Sequence, residues 1–81
     1  MTEDHFVSPY PLAVVEYVDS ALQAEQTNRV AKPFAVTTVG FVIHEDDDAL
    51  TLCAELVGED YRGQVSIPKV AVTRREEIST R

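Results

Sequence analysis

Apolar and polar positions alternate over most of the chain from Phe34 onward. Thr37, Val39, Phe41 and Ile43 occupy one set of alternate positions and Leu50, Leu52, Ala54 and Leu56 another, with the acidic run Glu45-Asp46-Asp47-Asp48 between them. A period of two puts each set on one face of a strand, so the pattern predicts an antiparallel hairpin. Burying both sets on a common side pairs Ile43 with Leu50 and Phe41 with Leu52. The turn is then Asp46-Asp47, or the wider stretch from Glu45 to Asp48. Aspartate suits such a position because its carboxylate accepts hydrogen bonds from nearby backbone N–H groups. The acids thus gather where the chain reverses in water.

The same alternation continues past a second turn, VGEDYRG, in which Gly58 and Gly63 act as breakers. Val65 and Ile67, then Val70 and Val72, fall on either side of Pro68-Lys69, which reads as two short strands meeting at a corner, because proline has no ladder donor. Upstream, LAVVEYVDSALQAEQ carries both periods. Leu12, Val15, Val18 and Leu22 share a helical face, whereas the β-branched and aromatic density of Val14, Val15, Tyr17 and Val18 favours a strand through about Asp19. We read a strand first and then a short helix over 20–26, capped by Asp19 or Ser20 and closed by Asn28 and Pro33. Gly40 falls in mid-strand, where it permits a tight bend. The expected fold is mainly β: a small, strongly bent five-stranded barrel with one short helix. The expected organisation is a flexible arm over 1–11, a single barrel domain over 12–76 and a tail over 77–81.

Composition narrows the picture. A chain of 81 residues makes one domain with a small core, which self-association would help. Its 44% hydrophobic and 26% charged residues are ordinary for a globular protein. No apolar run approaches the ~20 residues of a membrane span. The start, MTEDHFVSPYP, has acids and prolines where a secretory signal has basic and then apolar residues, and the single cysteine, Cys53, fits a reducing compartment. The expected location is the cytoplasm. A net charge of −7 argues against long nucleic acid, whose phosphates need a basic face. The charge is uneven: the acids dominate from His44 to Asp60, whereas Arg62, Lys69, Arg74, Arg75 and Arg81 make the last part mildly basic.

No catalytic set emerges. Thiol–imidazole chemistry needs hydrogen-bond reach between Cys53 and His44, yet the expected hairpin pairs Cys53 with Gly40 and leaves His44 roughly 13 Å further along. His5 lies in the arm. Contiguous acids such as Asp46, Asp47 and Asp48 do not have the alternating spacing of a calcium loop, and the Cys and His clusters of a zinc site are missing from the sequence. Glu45 and Glu55 in water lack the burial that tunes a catalytic carboxylate. The three glycines, Gly40, Gly58 and Gly63, are too scattered for a phosphate loop. Neither an enzyme, a metal nor a cofactor is expected.

The order of VGFVIHEDDDALTL as a bent hairpin and VSIPKVAV as strand, corner and strand resembles the Sm-like barrel, including the bacterial RNA chaperone of that fold, over about residues 35–75, and is similar also to the SH3-like barrel, which gives the same pattern; the resemblance implies a five-stranded barrel of Sm-like or SH3-like type. Gly40 and Asp46 match the first Sm motif, with Ala49 at its Asn position. Lys69 stands at the turn of the second motif, and Arg62-Gly63 comes earlier. The segments VEYVDS, VGFVIHEDDDALTL and YRGQVSIPK are also similar to short proteins of phages and prophages. That likeness implies a phage or bacterial cytosolic setting and brings no activity with it.

Two functional expectations follow. The leading one is a non-enzymatic acidic binding module that engages a host or phage protein through Glu45, Asp46, Asp47 and Asp48, or through exposed strand edges. The other is an oligomeric Sm-like barrel that binds RNA or a small cyclic nucleotide through Arg62, Lys69, Arg74 and Arg75.

Overall fold

The computed structural model describes residues 8–19, 30 and 32–78. Five strands occupy most of this span: β1 (Leu12–Asp19), β2 (Phe34–Glu45), β3 (Ala49–Val57), β4 (Asp60–Pro68) and β5 (Val72–Ile78). The corner at Pro68-Lys69 is a single 3-10 turn, Lys69–Ala71. Residues 12–19 are strand, as their β-branched density favours, with Ala13 and Val15 fully buried on one face. The helix expected over 20–26 lies outside the described residues, as do positions 1–7 of the arm and 79–81 of the tail. β5 runs on to Ile78, past the end of the alternating pattern, because Leu12 to Tyr17 of β1 supply it with a partner.

All strands are antiparallel in one sheet of order β4-β3-β2-β1-β5. The sheet has two edges, β4 and β5, and does not close into a barrel. It must nevertheless curl. Laid flat, its outer strands would stand roughly 19 Å apart at ~4.8 Å per strand, whereas the single turn joining Pro68 to Val72 spans only about 8 Å at ~2 Å per residue. β2 supplies the bend. Its first part, Phe34 to Phe41, pairs with β1, and its last part, Phe41 to Glu45, pairs with β3.

Gly40 sits where the two pairings meet. A Cβ built there would lie 2.7 Å from the Cys53 carbonyl oxygen and 3.2 Å from the Leu52 Cβ. β3 approaches so closely that only glycine fits, which is the physical content of the bend expected from its mid-strand position.

The hairpin register differs from the one expected. Phe41 pairs with Cys53 and Val42 with Leu52, and after a bulge His44 pairs with Thr51 and Glu45 with Leu50. The inward face of β2 before the bulge is therefore the even one. Val42 is buried, whereas Thr37 and Val39 are exposed and Phe41 and Ile43 only half-buried. On β3, Leu50 and Leu52 are buried as expected, but Ala54 is exposed and Leu56 half-buried. Beyond Cys53, β3 has left β2 and pairs with β4 alone. The core is correspondingly small: Ala13, Val15, Val42, Leu50, Leu52 and Ile67, with Tyr17, Val65 and Val72 packed against it.

Candidate functional site

The acidic hairpin tip is a built turn. Asp46 Oδ1 accepts from the backbone N–H groups of Asp48 and Ala49, both at 2.8 Å, and the Asp46 N–H donates to the Ala49 carbonyl at 3.0 Å. The reversal is thus centred on Asp47-Asp48, one residue later than expected, because the bulge has advanced the register. His44 Nε2 lies 3.2 Å from Asp46 Oδ2. These contacts, the two backbone donors first, hold the Asp46 carboxyl below its ordinary value.

Glu45 does a different job from the rest of the run. The bulge turns it to the same side as Leu50, where its Oε2 meets Lys69 Nζ at 2.8 Å and Arg75 at 2.9 Å. Arg75 comes from β5 and Lys69 from the turn after β4, so one carboxylate of β2 ties both ends of the curled sheet. The hydrogen bond from Arg75, then that from Lys69, lowers the Glu45 pKa from 4.5 to about 2. Arg75 is pushed up in return, chiefly by the same hydrogen bond.

The four expected binding acids therefore divide. Glu45 is held within the chain and Asp46 forms the turn, while the side chains of Asp47 and Asp48 make no hydrogen bond or ion pair among the described residues and stand exposed.

The four expected nucleotide-binding cations divide too. Lys69 and Arg75 converge on Glu45. Arg62 pairs with Glu55 at 2.9 Å toward the far end of the β3–β4 hairpin, and the seven strand positions between it and Lys69 place it roughly 23 Å away. Arg74 alternates to the opposite face of β5 from Arg75, beside Val14, Glu16, Thr37 and Glu76, where these residues line a concavity of about 260 Å³.

Cys53 pairs with Phe41, not with Gly40, and is buried. Burial raises its thiol pKa, which is the opposite of what a nucleophile needs. His44 is exposed and engaged by Asp46. Among the described residues no group of His, Cys, Asp or Glu side chains is placed to share a metal ion. No helix there is long and apolar enough to cross a membrane.

Two features were not visible in the sequence. Tyr10, just before β1, meets Tyr61 of β4 with hydroxyls 2.7 Å apart and rings edge to face at 5.8 Å. This hydrogen bond is the main reason the Tyr61 pKa is raised, and the nearby Cys53 adds a smaller upward push. The other feature is the exposed apolar face of β5, β1 and β2 around Val14 and Val39. Neither has a motif. Both depend on which strands become neighbours.

In comparisons with known proteins, no family model, no curated protein and no solved structure matches the chain.

Proposed function

We propose that the chain is a non-enzymatic binding module that engages a protein partner with a basic contact surface, through the carboxylates of Asp47 and Asp48. The observation that carries this reading is the division of charge: Lys69 and Arg75 are both engaged by Glu45, while Asp47 and Asp48 project from a turn held by Asp46 with side chains unpaired among the described residues. A rigid, exposed pair of carboxylates attracts Lys and Arg side chains and loses little entropy on meeting them. The fold we infer is a barrel-like sheet of Sm-like or SH3-like kind, supported by its strand order and by the short 3-10 turn between its edges. A host protein is the partner suggested by the likeness of the sequence to short phage proteins.

The test is affinity capture from a bacterial lysate with the wild-type chain, an Asp47→Asn/Asp48→Asn variant and an Arg62→Gln variant, followed by native mass spectrometry of the captured complexes. The expected result is a defined protein partner lost with the acidic double variant and kept with Arg62→Gln. A retained nucleotide or RNA mass, or capture that depends on Arg62 and not on the acids, would overturn the reading.

A further inference from the structure

Tyr10 and Tyr61 make a contact that a flat sheet would forbid. Tyr10 lies just before β1 and Tyr61 near the start of β4, and in the order β4-β3-β2-β1-β5 two strands stand between them. Only the curl brings them together. Their hydroxyl oxygens are 2.7 Å apart and their rings meet edge to face with centroids 5.8 Å apart. The phenol ends therefore lie side by side, and the carbons ortho to the two hydroxyls flank the contact. The Tyr10 end is held in place, because the carbonyl of the adjacent Pro11 accepts from the Val42 N–H at 2.7 Å. Tyr61 is 38% exposed, which leaves the pair open to an oxidant from solvent. The third tyrosine, Tyr17, packs against the core. Cys53, whose thiol would otherwise be oxidised first, is buried, and that burial pushes its pKa up and keeps it protonated.

We propose that Tyr10 and Tyr61 form an oxidative cross-linking site, at which a carbon–carbon bond between the two rings locks the curled sheet. A haem peroxidase with hydrogen peroxide is the oxidant. Each phenol loses one electron and one proton, and the peroxide takes up both electrons and both protons to become two waters. The unpaired electron of each phenoxyl radical is shared with its ortho carbons. Rotation of the exposed Tyr61 ring about its Cβ–Cγ bond leaves the hydroxyl in place and turns an ortho carbon toward the Tyr10 ring. The two radicals pair in one new bond between ortho carbons. Each of those carbons then passes its hydrogen, as a proton, to its own ring oxygen, and both phenols are restored. The product has two hydrogen atoms fewer than the starting chain. Partners already in contact couple within the chain faster than two chains meet, because folding has removed their translational freedom. The bond closes a loop between positions 51 apart, and so restricts the unfolded chain as a disulfide does. It would fasten β4 at the end opposite Lys69, whose contact with Glu45 ties the other end.

The test treats the full chain with peroxidase and hydrogen peroxide at several protein concentrations, with free tyrosine as the positive control for coupling. Intact mass, the blue fluorescence of dityrosine and peptide mapping are the readouts. The expected product is a monomeric chain lighter by two hydrogen atoms, with the link mapped to Tyr10 and Tyr61 and a yield independent of concentration. Tyr10→Phe and Tyr61→Phe should each lose this product, whereas Tyr17→Phe should keep it. The purified cross-linked chain should unfold at higher urea than the untreated one. Coupling only between chains, an internal link that contains Tyr17, or no link where free tyrosine couples would overturn the proposal. An unchanged urea midpoint would overturn the locking role. The map on the wild-type chain decides the site even if a variant folds poorly. None of these outcomes bears on Asp47 and Asp48, which lie at the β2–β3 turn.

Discussion

Gly40 and Glu45 show how single residues set the shape of this molecule. Gly40→Ala forces a methyl group to within 2.7 Å of a backbone oxygen on β3, and backbone cannot swing aside as a side chain can. We expect a loss of about 1–3 kcal/mol in urea unfolding, in the range of overpacked cores. Glu45 sets the acid limit. Its pKa falls from 4.5 to about 2 on folding, so its contribution is complete above pH 4.5 and disappears as the pH falls toward 2. Asp46, also lowered, adds to the same trend. In Glu45→Gln the urea midpoint should therefore change less steeply between pH 4.5 and 2 than in the wild type. Equal slopes would mean that the Lys69 and Arg75 contacts are not maintained in solution.

Among the elements, the bulge in β2 separates what could be read from the sequence from what could not. Alternation correctly marks both strands of the hairpin, but it offers two faces, and the choice between them depends on pairing. Val39, Phe41 and Val42 are all apolar, so composition gives no preference. The structure buries Val42 at 7% exposure and leaves Val39 at 55%. Val42→Ala should accordingly cost about 1.5–3 kcal/mol. Val39→Ala should stay within roughly 0.5 kcal/mol when measured at low micromolar concentration. The reverse order would restore the register expected from the pattern alone. The bulge carries no glycine or proline to announce it. It is fixed by the fit of β2 between β1, whose ladder ends at Phe41, and β3, whose ladder begins there.

At the scale of the whole molecule, the connection from β4 to β5 decides the form. These two strands lie at opposite edges of the sheet order yet are joined by one 3-10 turn, so the sheet curls until Lys69 and Arg75 meet on Glu45. That curl brings one end of β4 and β5 together and leaves the acids of the β2–β3 turn facing water. Because Asp47 and Asp48 are exposed and the chain carries a net charge of −7, association with a basic partner should weaken steeply as salt rises from low to physiological concentration. Binding titrations by fluorescence anisotropy at several ionic strengths check this. A salt-independent affinity would point to apolar contacts in place of the acidic tip.

The sequence by itself determined β1 to β4, the turns between β2 and β3 and between β3 and β4, and the corner at Pro68-Lys69; it set the last strand too early, since Val70 lies in the 3-10 turn and β5 runs from Val72 to Ile78. Period-two alternation, aspartate and glycine at reversals, and a missing proline donor are local properties of the chain. It also marked Gly40 as a bend and Glu45 to Asp48 as one acidic run. Only the tertiary structure decided that this run has three different roles. Glu45 binds two cations from the far end of the sequence, Asp46 builds the turn, and Asp47 and Asp48 remain outward. The reason is that register and neighbourhood are set by packing between segments: one bulge reverses which side chains face inward, and only the curl brings Lys69 and Arg75 within reach.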